Sequence, residues 1–184
     1  MITEQYLAVA LFVIALAFVI RRLSAAARAW KYRGEMVITC PETRKPAAVK
    51  VDTLSAAVTE VLNEHHLRLR SCTRWPERRD CDQDCVCQIQ RDPEGHRAWN
   101  MACQWFTDKK CVFCGKPIEP VSHVDHAPAL MNVLNRKTVE WRKLPAEQLP
   151  AAFAECAPVC WSCHMTETFI RKYPGRAVVR PWRH

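Results

Sequence analysis

Glycine is scarce in this sequence of 184 residues, with only 4 present, and aromatic residues make up 9% of the chain. A phosphate-binding loop needs several closely spaced glycines, so this class of nucleotide site is excluded. The Gly-x-Ser-x-Gly motif of many serine hydrolases is also missing. Few aromatic side chains limit the apolar core, whereas 11 cysteines and 12 prolines indicate a loop-rich body that is cross-linked by disulfides or metal.

No lysine or arginine precedes the uncharged apolar run from Tyr6 to Ile20, which is closed by Arg21 and Arg22. Its length is near the lower limit of about 17 to 25 residues for a helix that spans a membrane. A signal peptide would carry its basic residues before the run, and a buried core helix would have a polar face. Residues 1–34 are therefore predicted to form a single-pass transmembrane anchor with a basic juxtamembrane segment.

The basic residues after the apolar run predict the side of the membrane on which the body lies. They are Arg21, Arg22, Arg28, Lys31 and Arg33. The positive-inside bias places the body on the cytoplasmic face of the cell membrane, where thiols stay reduced and cysteines serve as metal ligands. About half of the net charge of +8 lies in this segment, so the charge is weak evidence for a nucleic-acid partner. The predicted partners are the membrane and other membrane or cytoplasmic proteins.

The remaining chain divides near residue 108, with one group of cysteines on each side. The predicted fold is a small, metal-stabilised α+β fold with Cys-rich zinc-binding subdomains at residues 35–108 and 109–184, the second similar to a treble clef or a zinc ribbon. Hydrophobic periodicity and turn residues predict the elements. Strands are expected at 36–39, 49–51, 67–69 and 137–142, and helices from Thr53, from Asp80 or Asp82, at 94–107, at 145–154 and from Cys163.

Two Cys-x-x-Cys pairs stand out in the C-terminal half, Cys111 with Cys114 and Cys160 with Cys163. Two thiolates at this spacing can bind one ion from a tight turn, and Gly115 lets the backbone reverse beneath the metal. Together the pairs supply the four sulfur ligands of a tetrahedral zinc site. The sequence therefore predicts a structural zinc ion in this half.

A second set of cysteines in the first half predicts another zinc site. Cys81 and Cys85 are four residues apart and would share one face of a helix, while Cys40 and Cys72 lie in predicted turns. Four thiolates also suit an iron–sulfur cluster, although this spacing matches none of the usual cluster motifs. The remaining cysteines are interpreted as a core residue and two free thiols, namely Cys103, Cys87 and Cys156.

His164 directly follows the second pair, so residues 160–164 read Cys-x-x-Cys-His. In c-type cytochromes this pattern attaches haem through two thioethers, with the histidine as an axial ligand. A membrane-anchored monohaem c-type cytochrome in electron transfer, with Cys160, Cys163 and His164 binding haem c, is therefore an alternative function. Haem attachment takes place outside the cytoplasm, so the charge bias ranks this alternative below zinc.

Between the two pairs lies His123-Val124-Asp125-His126. The order of Cys-x-x-Cys, Asp-His and Cys-x-x-Cys-His resembles the HNH family of treble-clef, ββα-metal proteins over roughly residues 109–171. The resemblance implies that Asp125 and His164 bind Mg²⁺ or another divalent ion and that His126 is the general base of a metal-dependent endonuclease.

His123 and His126 have a simpler interpretation, as exposed turn residues or additional zinc ligands. The treble-clef scaffold can also be present without nuclease activity. The leading hypothesis is accordingly a membrane-anchored zinc protein that acts as a binding or assembly module on the cytoplasmic face. The cytochrome and the nuclease are the alternatives.

Overall fold

The computed structural model describes residues 2–53, 67–77, 80–123 and 126–175. The helices are α1 (Ile2–Lys31), α2 (Val86–Arg91), α3 (Ala98–Phe106), α4 (Leu149–Glu155) and α5 (Trp161–Lys172). The strands are β1 (Met36–Thr39), β2 (Pro46–Val51), β3 (Leu69–Cys72), β4 (Ala129–Asn132), β5 (Thr138–Glu140) and β6 (Cys156–Val159). Short 3-10 helices cover Trp141–Lys143 and Ala146–Gln148. This set of helices and strands confirms the predicted small α+β fold.

Helix α1 is 30 residues long, but its uncharged run from Tyr6 to Ile20 covers only part of it. No helix among the described residues is long and apolar enough to cross a membrane. At a rise of about 1.5 Å per residue the run spans about 22 Å, less than the hydrocarbon core of about 30 Å. The predicted transmembrane helix within residues 1–34 is wrong. The single-pass location that followed from it is wrong as well, and the predicted role on a cytoplasmic face is without support.

The C-terminal end of α1 is bound to the rest of the chain through Arg97. Its guanidinium donates hydrogen bonds to the carbonyl oxygens of Trp30 and Lys31, at 3.3 and 2.7 Å. The same guanidinium nitrogen also lies 3.1 Å from a carboxylate oxygen of Glu94. Arg97 therefore caps the carbonyl groups that the end of a helix leaves without partners.

Strands β1, β2 and β3 form an antiparallel sheet in that order. Val49 of β2 lies opposite Met36 of β1 and Cys72 of β3, and the register shifts between Lys50 and Val51. Pro46 is the first residue of its strand, a position at which proline breaks no interior ladder bond. The turn between β1 and β2 carries Cys40, so this cysteine lies at one end of the sheet.

The second sheet has the order β5, β4, β6, and its pairs are antiparallel. Neither β4 nor β6 was expected from the sequence. Strand β6 contains Pro158, a residue that disfavours the interior of a sheet. Strand β6 lies at the edge of the sheet, where proline is tolerated. Its Pro158 carbonyl accepts a hydrogen bond from the Val112 N–H at 3.0 Å. This bond attaches the first Cys-x-x-Cys segment to the strand that leads into the second.

The largest core cluster combines residues from both sides of position 108. Phe106 is its largest fully buried side chain, with 1% of its surface exposed. Its buried members are Val37, Ala48, Ala98, Ala102, Phe106, Ala127, Leu130, Trp141, Ala146 and Leu149. A separate cluster lies under the first sheet, and a third surrounds the thiols of the C-terminal half. A shared core thus crosses the boundary that the distribution of cysteines placed near residue 108.

The four helices after α1 begin at positions other than those expected. Helix α3 begins at Ala98 instead of residue 94, and α4 begins at Leu149 instead of residue 145. Helix α2 begins at Val86, later than Asp80 or Asp82, because Gln83 has a positive φ of 61° that a right-handed helix cannot include. Helix α5 begins at Trp161, so Cys163 lies within its first turn. The helix predicted from Thr53 lies almost wholly outside the described residues.

Candidate metal centre

The first Cys-x-x-Cys pair lies in a tight turn between Lys110 and Pro117, which form an isolated β-bridge. The Cys111 N–H donates to the Lys116 carbonyl at 2.8 Å, and the Gly115 N–H donates to the Cys111 carbonyl at 2.9 Å. Gly115 has a positive φ of 69°, which glycine adopts without the strain that a Cβ atom would cause. The turn therefore forms as the sequence predicted.

The second pair lies where β6 passes into α5. Cys160 is the N-cap residue and has extended backbone, with φ −69° and ψ 157°, while Cys163 lies in the first helical turn. The partial positive charge at the beginning of a helix favours thiolate at these positions, and burial opposes it. Both residues of the pair therefore lie at the beginning of α5.

The tertiary structure brings the sulfur atoms of Cys111, Cys114, Cys160 and Cys163 within 4.8 Å of one another. The Sγ atoms of Cys114 and Cys160 are 3.8 Å apart, much longer than a disulfide bond of about 2.05 Å. A tetrahedron with Zn–S bonds of about 2.3 Å has S–S edges of about 3.8 Å. The four cysteines can therefore hold a metal ion such as zinc.

The pKa values of three of these thiols are shifted, and the shifts differ in direction. Burial opposes ionisation of Cys111, but hydrogen bonds from the backbone N–H groups of Cys160, Cys114 and Phe113 together lower the pKa of its thiol to about 7. Burial, followed by the neighbouring thiols, raises the pKa of Cys163, and burial also raises that of Cys160. A bound cation would remove this opposition, because its charge stabilises all four thiolates together.

His164, the next residue after the second pair, is buried with 6% of its surface exposed. Its Nδ1 lies 2.9 Å from the hydroxyl of Thr138, and its Nε2 lies 3.8 Å from a carboxylate oxygen of Glu140. Burial lowers the pKa of His164, whereas the Glu140 charge opposes this shift. Both ring nitrogens of His164 therefore face groups of β5, and no local sequence pattern predicts this contact.

The other two candidate histidines stack on tryptophan rings. The His126 ring lies 4.4 Å from the Trp161 ring at an interplanar angle of 5°, and the His123 ring lies 3.6 Å from that of Trp99 at 9°. These contacts join residues far apart in the sequence, so no local pattern predicts them. Asp125, the expected partner of His164 on a divalent ion, lies outside the described residues. The general-base role of His126 remains a prediction.

The four cysteines of the first half are arranged less tightly. Cys111, Cys114, Cys160 and Cys163 form the group of potential ligands that meets the 4.8 Å limit within the described parts of the chain. Cys40, Cys72 and Cys81 are half-buried, and Cys85 is buried. The second zinc site that the sequence predicts is therefore not assembled at the same distances as the first.

Comparison with known proteins identifies no relative: no protein-family model, no curated protein and no solved structure matches this chain. The resemblance to the HNH family consequently depends on the motif residues alone.

The hydrogen bond between Thr138 and His164 supplies a stability test. Replacing Thr138 with Val keeps the side-chain shape but leaves a buried ring nitrogen of His164 without its partner, so the free energy of unfolding should fall by about 1–3 kcal/mol. Thr107→Val is the matched control, because its hydroxyl makes a 2.8 Å bond to the Cys103 carbonyl at an exposed position. Urea titration of both variants measures the difference. Equal losses of unfolding free energy in the two variants would show that the bond to His164 contributes no more than an exposed hydrogen bond.

Proposed function

We propose that this chain is a zinc-stabilised binding or assembly module in which the metal is structural. The main support for this proposal is that the four thiols of the two Cys-x-x-Cys pairs lie within 4.8 Å of one another. Four protein ligands complete the tetrahedral coordination of zinc, whereas a catalytic zinc keeps one position open for water or substrate. A site made of these four thiols has no such position, so its metal organises the chain instead of activating a substrate.

The order of elements around the cluster supports a treble-clef arrangement. The Cys111–Cys114 turn supplies the first pair of ligands, the β4–β5 hairpin follows, and the first turn of α5 supplies the second pair. Because the hairpin and β6 share one sheet, a metal that joins the turn to α5 would hold the whole C-terminal half together.

The geometry favours zinc over haem and over an iron–sulfur cluster. Haem attachment would require Cys160 and Cys163 to leave the first pair, and His164 to give up its contact with Thr138. An iron–sulfur cluster has inorganic sulfides and several irons between its thiolates, which separates them more than one metal ion does. The 3.8 Å distance between the Cys114 and Cys160 sulfurs fits a single ion.

The metal would also position the walls of a surface cleft of about 400 Å³. One wall follows the first ligand pair and includes Lys116 and Pro120, while the other begins at the second pair with Trp161. His126 lies in the same cleft and stacks on Trp161. Loss of the metal should therefore separate the two walls. Because the chain has 7 tryptophans, the difference in fluorescence change between the unmodified chain and Trp161→Phe reports this movement.

Metal analysis of the purified chain tests the proposal. We expect zinc by elemental analysis, and replacement by Co²⁺ should produce the visible spectrum of a tetrahedral tetrathiolate site. Treatment with a chelator should remove both the metal and the native tryptophan fluorescence, and returned zinc should restore them. A haem absorption band, or a chain that is fully folded without metal at these four cysteines, would contradict a structural zinc.

A further inference from the structure

The turn that carries Cys40 repeats the backbone geometry of the turn that carries Cys111. The Cys40 N–H donates to the Lys45 carbonyl at 3.0 Å, and the Arg44 N–H donates to the Cys40 carbonyl at 2.8 Å. In the other turn, the Cys111 N–H donates to the Lys116 carbonyl at 2.8 Å, and the Gly115 N–H donates to the Cys111 carbonyl at 2.9 Å. Arg44 has a positive φ of 55° where the other turn has Gly115 at 69°.

The sulfur of Cys40 is also surrounded like that of Cys111. It accepts hydrogen bonds from the Thr43 hydroxyl and from the backbone N–H groups of Thr43 and Glu42. Cys111 accepts N–H groups from the residues two and three positions later in the same way. Both turns thus direct N–H groups at a sulfur, an arrangement that stabilises thiolate.

A turn with similar backbone hydrogen bonds but no cysteine shows that this turn can form with another residue in the first position. The β4–β5 turn begins at Asn132, whose side-chain oxygen accepts the N–H groups of Leu134 and Asn135 at 3.0 and 3.1 Å. An oxygen is the stronger hydrogen-bond acceptor, and sulfur accepts weakly. Cysteine at position 40 is therefore not explained by the turn, and a ligand role for its sulfur is favoured.

The sulfurs of Cys72 and Cys81 also accept hydrogen bonds from backbone N–H groups. The Arg74 N–H donates to the Cys72 sulfur at 3.4 Å, and the Gln83 N–H donates to the Cys81 sulfur at 3.4 Å. In each case the donor is two residues after the cysteine. Three of the four first-half cysteines consequently present sulfurs with N–H donors, as expected of metal-binding thiolates.

Tertiary hydrogen bonds hold the segment with Cys81 and Cys85 against the first sheet. The Gln83 side-chain oxygen accepts the Leu69 N–H at 2.8 Å. The Gln88 amide makes two bonds to the backbone of Thr39, the residue before Cys40, at 3.1 and 2.7 Å. The beginning of α2 is therefore fixed beside the Cys40 turn and beside the strand that ends at Cys72.

Cys85, the fourth cysteine, is buried in the core cluster against which Cys72 also packs. The bonds of Gln83 and Gln88 place the Cys81 segment and the Cys40 turn beside this cluster. The four cysteines therefore lie on neighbouring segments, although their sulfurs are farther apart than those of the C-terminal half.

We propose that Cys40, Cys72, Cys81 and Cys85 form a second metal site, which takes a thiophilic divalent ion such as Zn²⁺ in tetrahedral coordination. Binding draws the four sulfurs from their present spacing to the S–S distance of about 3.8 Å that such an ion requires. The ion joins the β1–β2 turn, the end of β3 and the beginning of α2. This site stands independently of the one at Cys111, Cys114, Cys160 and Cys163.

Native mass spectrometry of the full chain loaded with Zn²⁺ counts the two sites separately. The unmodified chain should bind two zinc ions, and Cys81→Ser or Cys85→Ser should bind one. Cys87→Ser is the matched control, because Cys87 is exposed, lies two residues after Cys85 and should leave both ions bound. Cys111→Ser should remove the other ion. A single ion on the unmodified chain that Cys111→Ser removes would overturn the second site and keep the first.

Alkylation of the unmodified chain gives a second measurement that needs no variant to fold. Zinc should protect Cys40, Cys72, Cys81 and Cys85 from a thiol reagent at least tenfold relative to the metal-free chain, as read by peptide mass spectrometry. Cys87 should react at the same rate with and without zinc. If zinc changes none of the four rates while it protects the C-terminal cysteines, the second site does not exist.

Discussion

Cys163→Ser should remove the metal from the C-terminal half and unfold that half under conditions in which the unmodified chain is folded. Structural zinc contributes an apparent free energy of about 10–16 kcal/mol in small zinc domains at neutral pH, and a serine hydroxyl is a poor ligand at that pH. Only 1% of the Cys163 surface is exposed, so no other group can easily take its place. Loss of one ligand therefore leaves the buried Cys111 and the half-buried Cys114 and Cys160 without a complete site.

The buried surroundings of Cys163 increase the effect. Its thiol packs with Cys111 against Ala129, Met131 and Val159, which belong to the central strand and one edge strand of the second sheet. If the metal is lost, this cluster has few large apolar side chains to hold the sheet together. Circular dichroism during heating and the metal content per chain measure the two consequences.

Cys156→Ser is the matched control for this experiment. Cys156 is half-buried and begins β6, the strand that leads directly into the ligand pair at α5. Its thiol lies outside the group of four, so the variant should retain its metal and its melting temperature within a few degrees. Retention of metal by Cys163→Ser at the level of Cys156→Ser would contradict a four-sulfur site.

Phe106→Ala should lower the free energy of unfolding by about 3–5 kcal/mol, the usual cost when a buried phenylalanine is truncated and leaves a cavity. The side chain is 1% exposed and makes an edge contact with Trp105, with the ring centroids 4.8 Å apart. Its cluster includes β1 and β2 residues as well as Leu130 and Leu149. The loss should therefore affect both halves of the chain.

Phe169→Ala tests the same truncation on a helix surface, since Phe169 lies in α5 and is 39% exposed. This control should lose less than about 1 kcal/mol. Urea unfolding followed by tryptophan fluorescence and by far-ultraviolet circular dichroism measures both variants. If Phe106→Ala shifts one of two separate transitions and leaves the other unchanged, the halves unfold independently in spite of their shared core.

Several features of the fold follow from short stretches of sequence. The Cys111 turn needs only its own backbone bonds and Gly115, and the strand Met36–Thr39 forms where its apolar residues predicted it. The anchor prediction failed although the apolar run is also local. Whether a helix spans a membrane depends on the length of that run relative to the bilayer, and fifteen residues from Tyr6 to Ile20 are too few.

The features that were missed depend on residues distant in the sequence. Strand β6 contains Pro158, and only its position at a sheet edge makes that proline acceptable. The contact of His164 with Thr138 and the stacking of His126 on Trp161 each join separate elements. No local periodicity carries information about which distant groups will meet.

The ligand types, the two Cys-x-x-Cys spacings and the turn at Cys111 follow from the sequence, because each depends on a few consecutive residues. Three features appear only in the folded chain: the 3.8 Å distance between the Cys114 and Cys160 sulfurs, the contact of His164 with β5, and the position of Phe106 in a core shared across residue 108. Those outcomes are set by packing and strand pairing between distant segments, which the short-range pattern of residues does not specify.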